Sequence, residues 1–95
     1  MSFRKLRGVR LSEEKQGLIR YTCLNYASRP KWEQEKIRHL CDEHGGQHSR
    51  ALFEVMTTQR SITAIALEHA VSESVLYRAR KSFFENWSKK RLTKN

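Results

Sequence analysis

The residues whose chemistry is most evident lie between positions 72 and 81, in the stretch SESVLYRARK. On a helix that begins after Ser72, several polar side chains recur at spacings of three or four and would share one surface. They are Glu73, Ser74, Tyr77, Arg78 and Lys81. Arginine can donate two hydrogen bonds to guanine, glutamate accepts from the cytosine amino group, and serine and tyrosine reach base edges or phosphates. The stretch therefore predicts a surface that contacts double-stranded DNA, and Ser72 and Arg80 belong to the predicted contact set.

The distribution of charge supports the same partner. The chain has 95 residues, with 19 Lys and Arg against 10 Asp and Glu, so its net charge is +9. Residues 1–11 contribute +4 and residues 78–95 contribute +6, which leaves −1 for the 66 residues between them. Clustered cations favour a polyanion, most simply nucleic acid, because its phosphates release counterions when they are neutralised. The basic clusters add Arg4, Lys5 and Arg7 at one end and Lys89, Lys90 and Arg91 at the other to the candidate DNA-binding residues.

Two helices and a tight turn would position the predicted surface. The pattern of residues 61–69 indicates a helix capped by Ser61, and Ser72 caps a second and longer one. Ala66 is small enough for a close crossing, Ala70 to Ser72 form the turn, and Val71 can pack beneath it. Many helix-turn-helix units have glycine where this chain has Ala70, so we expect either a positive φ at that alanine or a modified turn.

The stretch IALEHAVSESVLYRARKSF resembles the helix-turn-helix of small transcription activators from phages of Gram-positive bacteria, the late-operon regulators of the RinA and ArpU kind. It is also similar to the sigma-factor region that reads the promoter −35 element. Residues 17–58 resemble uncharacterised members of such phage families. The resemblance implies a phage or prophage regulator that binds near a promoter and contacts host RNA polymerase.

The remaining sequence predicts an all-α fold of five helices in a single domain over residues 1–95. Residues 1–11 are predicted to be a basic arm that is disordered without DNA, residues 12–59 a helical buttress, and residues 61–91 a helix-turn-helix whose recognition helix continues past Trp87. Ser12 should cap a first helix from Glu13 to about Ala27, and Ser49 a third one through Gln59. Leu18 is among the residues predicted to form the buried face of the first helix.

A metal site is a weaker interpretation of the stretch HLCDEHGGQH. Cys41 and His44 are three residues apart and could share a zinc ion with His48, but no paired second half follows. We expect Cys23 and Cys41 to be buried free thiols, and neither a cofactor nor a metal is predicted.

Catalysis and membrane insertion are not predicted. The sequence has no glycine-rich phosphate loop, no nucleophile elbow and no pair of carboxylates at a helical spacing that suggests a shared site. No apolar run approaches 18 residues, and the basic N-terminus does not have the pattern of a secretory signal. The expected location is the cytoplasm of a bacterial host, in association with the nucleoid.

Two other functions remain open from the sequence. One is a phage-encoded adaptor or inhibitor whose basic face covers a surface of a host protein. The other is a DNA-packaging component such as a small terminase subunit, which also uses a helix-turn-helix but forms rings, so its mass in solution separates it from a monomer or dimer. A homodimer is favoured for the regulator, because one recognition helix covers only a few base pairs.

Overall fold

The computed structural model describes Leu6 and residues 8–89, and these residues form helices joined by short turns, without a strand. The prediction of an all-α fold is confirmed. The helices are α1 (Glu13–Leu24), α2 (Lys31–Gly45), α3 (Ser49–Thr57), α4 (Ile62–His69) and α5 (Glu73–Asn86). Within the described part of the chain, no helix has the length and apolarity needed to cross a bilayer.

Serine hydroxyls begin three of the helices as predicted. Ser12 accepts a hydrogen bond from the amide of Lys15 at 3.2 Å, and Ser61 accepts one from the amide of Ala64 at 3.1 Å. Ser72 does the same for α5 with the amide of Val75, at 3.4 Å. Each hydroxyl satisfies one of the amides that the first turn of a helix leaves without an intrahelical partner.

The predicted boundaries of the first and third helices were wrong, and the third helix ends at Thr57 rather than at Gln59. The first helix ends at Leu24 rather than near Ala27, and residues Tyr26–Ser28 form a 3-10 turn before Pro30. The side chain of Asn25 donates to the carbonyl of Tyr21 at 2.8 Å, which helps to end the α-helical ladder there. Ser49 does not cap α3 but is its first residue, because a second 3-10 turn over Gly46–His48 leads directly into the helix.

The core lies between α2, α3 and α5, with α1 and α4 packed at its sides. Its largest fully buried side chains come from all of these helices and include Ile37, Leu52, Met56, Leu76 and Phe83. Leu18, which we expected to be buried, is 67% exposed, since α1 turns Ile19 and Cys23 toward the core and Leu18 away from it.

The N-terminal segment is packed where it is described, which contradicts the expectation of disorder for residues 6 and 8–11. We call Leu6 and residues 8–11 the N-terminal strap. Gln16, which is fully buried, accepts a hydrogen bond from the amide of Leu6 at 2.8 Å and donates to the carbonyl of Leu11 at 3.0 Å. Val9 is also buried in the core, so one glutamine and one valine hold the strap against the helices.

The last helix is shorter than predicted, because α5 ends at Asn86. The amide of Trp87 donates to the carbonyl of Phe84 and the amide of Lys89 to that of Asn86, so the chain tightens into a 3-10-like turn. The indole ring of Trp87 lies 5.9 Å from the ring of Phe83, and the ammonium group of Lys36 lies 4.1 Å above the indole. These contacts fix Trp87 at the end of the helix, on the side of α2.

Candidate nucleic-acid interface

The connection between α4 and α5 is built by backbone hydrogen bonds. Ala70 adopts the left-handed conformation, with φ 54° and ψ 46°. Its amide donates to the carbonyl of Leu67 at 3.3 Å, and the amide of Val71 donates to the carbonyl of Ala66 at 3.0 Å. This pair of bonds is the Schellman motif, in which glycine usually occupies the left-handed position. Of the two alternatives that the sequence left open at Ala70, the structure has the positive φ.

Apolar contacts complete the connection as the sequence predicts. Ala66 is buried where α4 meets its neighbours, and Val71 packs against the core from within the turn. From α5, Leu76 and Ala79 are buried against the same core. Because the turn has three residues and both of its ends are hydrogen-bonded, the start of α5 is fixed relative to α4.

The outward surface of α5 is exposed as the spacing predicts. We call the following five residues the α5 face, and all of them are exposed: Glu73, Ser74, Tyr77, Arg78 and Lys81. Among the described residues, no ion pair engages Glu73, Arg78 or Lys81. The face therefore presents two cations, one carboxylate, a hydroxyl and a phenol directly after a fixed turn.

Ser72 and Ser74 have different tasks at the start of the helix. The hydroxyl of Ser72 caps α5 through the amide of Val75, and it lies 3.2 Å from the hydroxyl of Ser74. Ser72 is thus engaged in positioning the helix, although the sequence suggested it as a contact residue. Ser74 is exposed one position into the first turn and remains available to a ligand.

Arg80 does not lie on the α5 face. It is half-buried, and its guanidinium lies 5.2 Å from the centre of the Tyr77 ring. Burial is the main cause that lowers the pKa of Arg80, and the nearby Arg20 lowers it further. Arg80 is directed toward the N-terminal strap, where it lines a cavity with Leu6 and Val9.

The other predicted contact residues lie elsewhere or outside the described residues. Lys89 is exposed beyond the end of α5, where it lines a small cavity with Glu43 and His44 of α2. It therefore lies eight residues beyond Lys81, the last residue of the α5 face. The predicted contact residues that fall outside the described part of the chain are Arg4, Lys5, Arg7, Lys90 and Arg91.

Ion pairs hold α4 against α3. Arg60 forms a two-pronged hydrogen bond with Glu68, at 3.0 and 3.1 Å, and also reaches Glu54 at 3.2 Å. His69 lies 3.2 Å from the second oxygen of Glu54. The hydrogen bonds between Arg60 and Glu68 lower the pKa of Glu68 and raise the pKa of Arg60. The network joins the end of α3 to both ends of α4.

Cys41, His44 and His48, the ligands of the weaker zinc interpretation, are not brought together among the described side chains. The ligand atoms that do approach one another, within 4.8 Å, belong to Glu54, Glu68 and His69, whose carboxylates are already paired with Arg60. Cys23 and Cys41 are buried free thiols, as predicted. Burial raises the pKa of Cys41 to about 12 and that of Cys23 higher still, so both remain protonated near neutral pH.

Three positioning residues were missed by the sequence analysis. Arg20 donates hydrogen bonds to the carbonyl oxygens of Val55 (2.7 Å), Met56 (2.9 Å) and Thr58 (2.8 Å), and thereby caps the end of α3 from α1. Gln16 anchors the strap, and Phe84 is buried. Arg20 and Gln16 fall near the buried stripe of Ile19 and Cys23 when α1 is drawn at 100° per residue, and that placement is the signal that could have found them.

Comparison of the chain with protein-family models, curated proteins and solved structures finds no significant match. The geometry of the α5 face and the charges around it are therefore the basis for assigning a function.

Proposed function

We propose that the chain is a sequence-specific DNA-binding transcriptional regulator in which α4 and α5 act as a helix-turn-helix. The observation that carries the proposal is the exposure of the α5 face immediately after a turn that is fixed by two backbone hydrogen bonds and the Ser72 cap. A recognition surface needs side chains that are exposed to the ligand and a backbone that is held in a fixed position. The α5 face meets both requirements.

The dimensions and chemistry of α5 suit the major groove. A helix with its side chains is about 10–12 Å across, and the major groove of B-DNA is about 12 Å wide. Ser74 and Tyr77 lie in the first half of the helix, the part that a helix-turn-helix directs toward base edges. Arg78 can recognise guanine through two hydrogen bonds, Glu73 favours a cytosine amino group, and Lys81 can bind a phosphate. In this arrangement α4 braces α5 and approaches the DNA backbone.

The biological setting of the proposal comes from the resemblance of residues 65–83 to phage late-operon regulators. It implies an activator that binds near a promoter together with host RNA polymerase, in the nucleoid of a bacterial cell. A homodimer would double the few base pairs that one recognition helix covers.

Selection of bound duplexes from a randomised pool tests the proposal, at about 150 mM salt, where non-specific phosphate contacts are weakened. We expect an enriched motif, with an inverted or direct repeat if the regulator is a dimer. The double variant Arg78→Ala, Lys81→Ala should lose the motif. Arg38→Ala, Arg50→Ala is the matched control, since it removes the same charge from exposed residues of α2 and α3. A folded wild-type protein that enriches no motif would contradict the proposal.

A protein-interaction module is the second candidate, and one observation favours it. Leu18 and Tyr21 are 67% and 62% exposed on α1, a different helix from the one that carries the α5 face. Exposed apolar side chains that lie three residues apart on a helix are suited to a protein partner. Capture of a host protein that survives nuclease treatment and is lost in Leu18→Ser, Tyr21→Ser would favour this function, provided that wild-type protein binds no free duplex.

A further inference from the structure

A cavity of about 260 Å³ lies between the N-terminal strap and α5. Strap residues form one wall and α5 residues the other. The main lining side chains are Leu6, Val9, Tyr77, Arg78, Arg80 and Lys81. The cavity thus lies beside the α5 face and shares three residues with it.

The charge of the cavity is uncompensated within the described part of the chain. Three cations line it and no carboxylate does. The nearest acid of α5 in sequence, Glu85, accepts a hydrogen bond from the backbone amide of Arg10 at 2.9 Å and so holds the strap in place. The guanidinium of Arg80 makes no hydrogen bond or ion pair with any described residue, and its contact is with the ring of Tyr77.

Arg80 is costly to the free protein in this position. Its guanidinium is half-buried and remains charged, because arginine does not deprotonate in proteins. The Tyr77 side chain favours the charge in part, whereas a second cation, Arg20, disfavours it, and the donors of Arg20 are committed to the end of α3. A half-buried cation without a counter-charge is stabilised when an anion binds, so the site favours a ligand that carries negative charge.

We propose that this cavity binds a phosphate group of the nucleic-acid backbone. The proposal rests on the proposed function and deepens it by giving Arg80 a role beside the α5 face. The planar guanidinium matches the spacing of phosphate oxygens, and Lys81 adds a point charge. Gly8, with φ 77°, lines the strap wall without a side chain, so an anion can approach the backbone there.

The salt dependence of duplex binding tests the proposal. Each phosphate contact on B-DNA contributes about 0.9 to the slope of log K against log salt. We expect the slope for Arg80→Gln to fall by about 0.9 from the wild-type value, whereas Arg80→Lys, which retains the charge, keeps the slope and loses part of the affinity. Arg50→Gln is the matched control and should leave the slope unchanged, because Arg50 is exposed on α3 and does not line this cavity.

Circular dichroism and thermal unfolding establish that each variant is folded. An unchanged slope in a folded Arg80→Gln protein would overturn the proposal, and so would an equal fall of the slope in Arg50→Gln. If Arg80→Gln fails to fold, Arg80→Ala and Arg80→Lys are compared instead. A slope that is lower by about 0.9 in Arg80→Ala than in Arg80→Lys supports the proposal, and equal slopes overturn it.

A titration with inorganic phosphate separates the failure of this proposal from the failure of the proposed function. We expect saturable chemical-shift changes at the Arg80 side chain and the Gly8 amide in wild-type protein and none at Gly8 in Arg80→Gln. If wild-type protein binds inorganic phosphate but no duplex, DNA binding fails and the nucleic-acid source of the phosphate is overturned. If it binds duplex while neither the slope nor the titration depends on Arg80, the cavity has no phosphate and the proposed function stands.

Discussion

Two arginines lie at one small cavity of about 70 Å³, together with Leu6 and Phe84, and they are used in opposite ways. Arg20, on the α1–α3 side, donates three hydrogen bonds to the carbonyl end of α3. Arg80, on the α5 side, has the Tyr77 ring as its described partner. Burial lowers the pKa of both side chains, so both bear a cost of desolvation. Protein acceptors offset that cost for Arg20, whereas the described contact that favours the charge of Arg80 is the Tyr77 ring, which supplies no anionic acceptor.

The difference separates a cation that holds the fold from one that is available to a ligand. A charged donor that satisfies backbone carbonyls contributes about 1.5–3 kcal/mol per hydrogen bond, and its loss leaves those carbonyls without a partner. A charged donor without an acceptor contributes little to stability and gains free energy when an anion arrives. We therefore expect substitutions at the α1–α3 junction to lower the free energy of unfolding, and substitutions on the α5 side to lower the affinity for a ligand.

Arg20→Gln should have the largest effect on folding. Loss of the guanidinium leaves three carbonyl oxygens at the end of α3 without their donor, and we expect the free energy of unfolding to fall by about 3 kcal/mol. Arg80→Gln, the matched variant on the other side of the cavity, should change the free energy of unfolding by less than about 1 kcal/mol. Urea unfolding of both proteins measures the difference. Equal losses in the two variants would remove the distinction between the arginines.

Arg78→Ala should have the largest effect on recognition. We expect it to cost about 2 kcal/mol of binding free energy on the preferred duplex and to relax base preference at one position, because a two-pronged contact to guanine is lost. Lys89→Ala, at the far end of α5, should weaken binding to all sequences alike. Titration of each variant with the selected duplex and with one-base variants of it measures both effects. The same uniform loss for Arg78→Ala would count against direct base readout.

Gln16→Leu tests whether the strap depends on one buried amide. The leucine retains the volume but leaves the Leu6 amide and the Leu11 carbonyl unsatisfied, and we expect a loss of about 1.5 kcal/mol in unfolding free energy. Because the strap forms one wall of the cavity next to Arg80, duplex affinity should also fall while base preference is retained. Unfolding in urea and duplex titration measure the two effects. A loss of base preference would mean that the strap positions the α5 face as well.

The sequence predicted the local structure of the α4–α5 region well, because the signals there are local. Serine caps at residues 61 and 72, apolar spacing in α5 and the small residue Ala66 each act within a few positions of the chain. The exposure of the α5 face followed from them, and the positive φ of Ala70 is one of the two alternatives that the sequence left open.

The features that the sequence analysis missed depend on contacts between distant positions. Arg20 meets the end of α3 35 to 38 residues away, and the amide of Arg10 meets Glu85 across 75 residues. A basic arm has the composition of a disordered segment, and only the tertiary contacts of Gln16 and Val9 override that tendency. The half-burial of Arg80 has the same origin, since the strap that covers it is remote in sequence.

Ala70→Gly should have the smallest effect, and it should be stabilising. The structure has two turn residues between helices with positive φ, Gly46 after α2 (φ 55°) and Ala70 after α4 (φ 54°). The left-handed conformation costs an L-residue about 1 kcal/mol, and glycine avoids this cost although it adds entropy to the unfolded chain. We therefore expect Ala70→Gly to raise the free energy of unfolding by up to about 1 kcal/mol and Gly46→Ala to lower it. Thermal unfolding measures both. If Ala70→Gly also weakens duplex binding, the stiffness of an alanine at the turn contributes to holding α5 in place, and a stable but less specific variant would result.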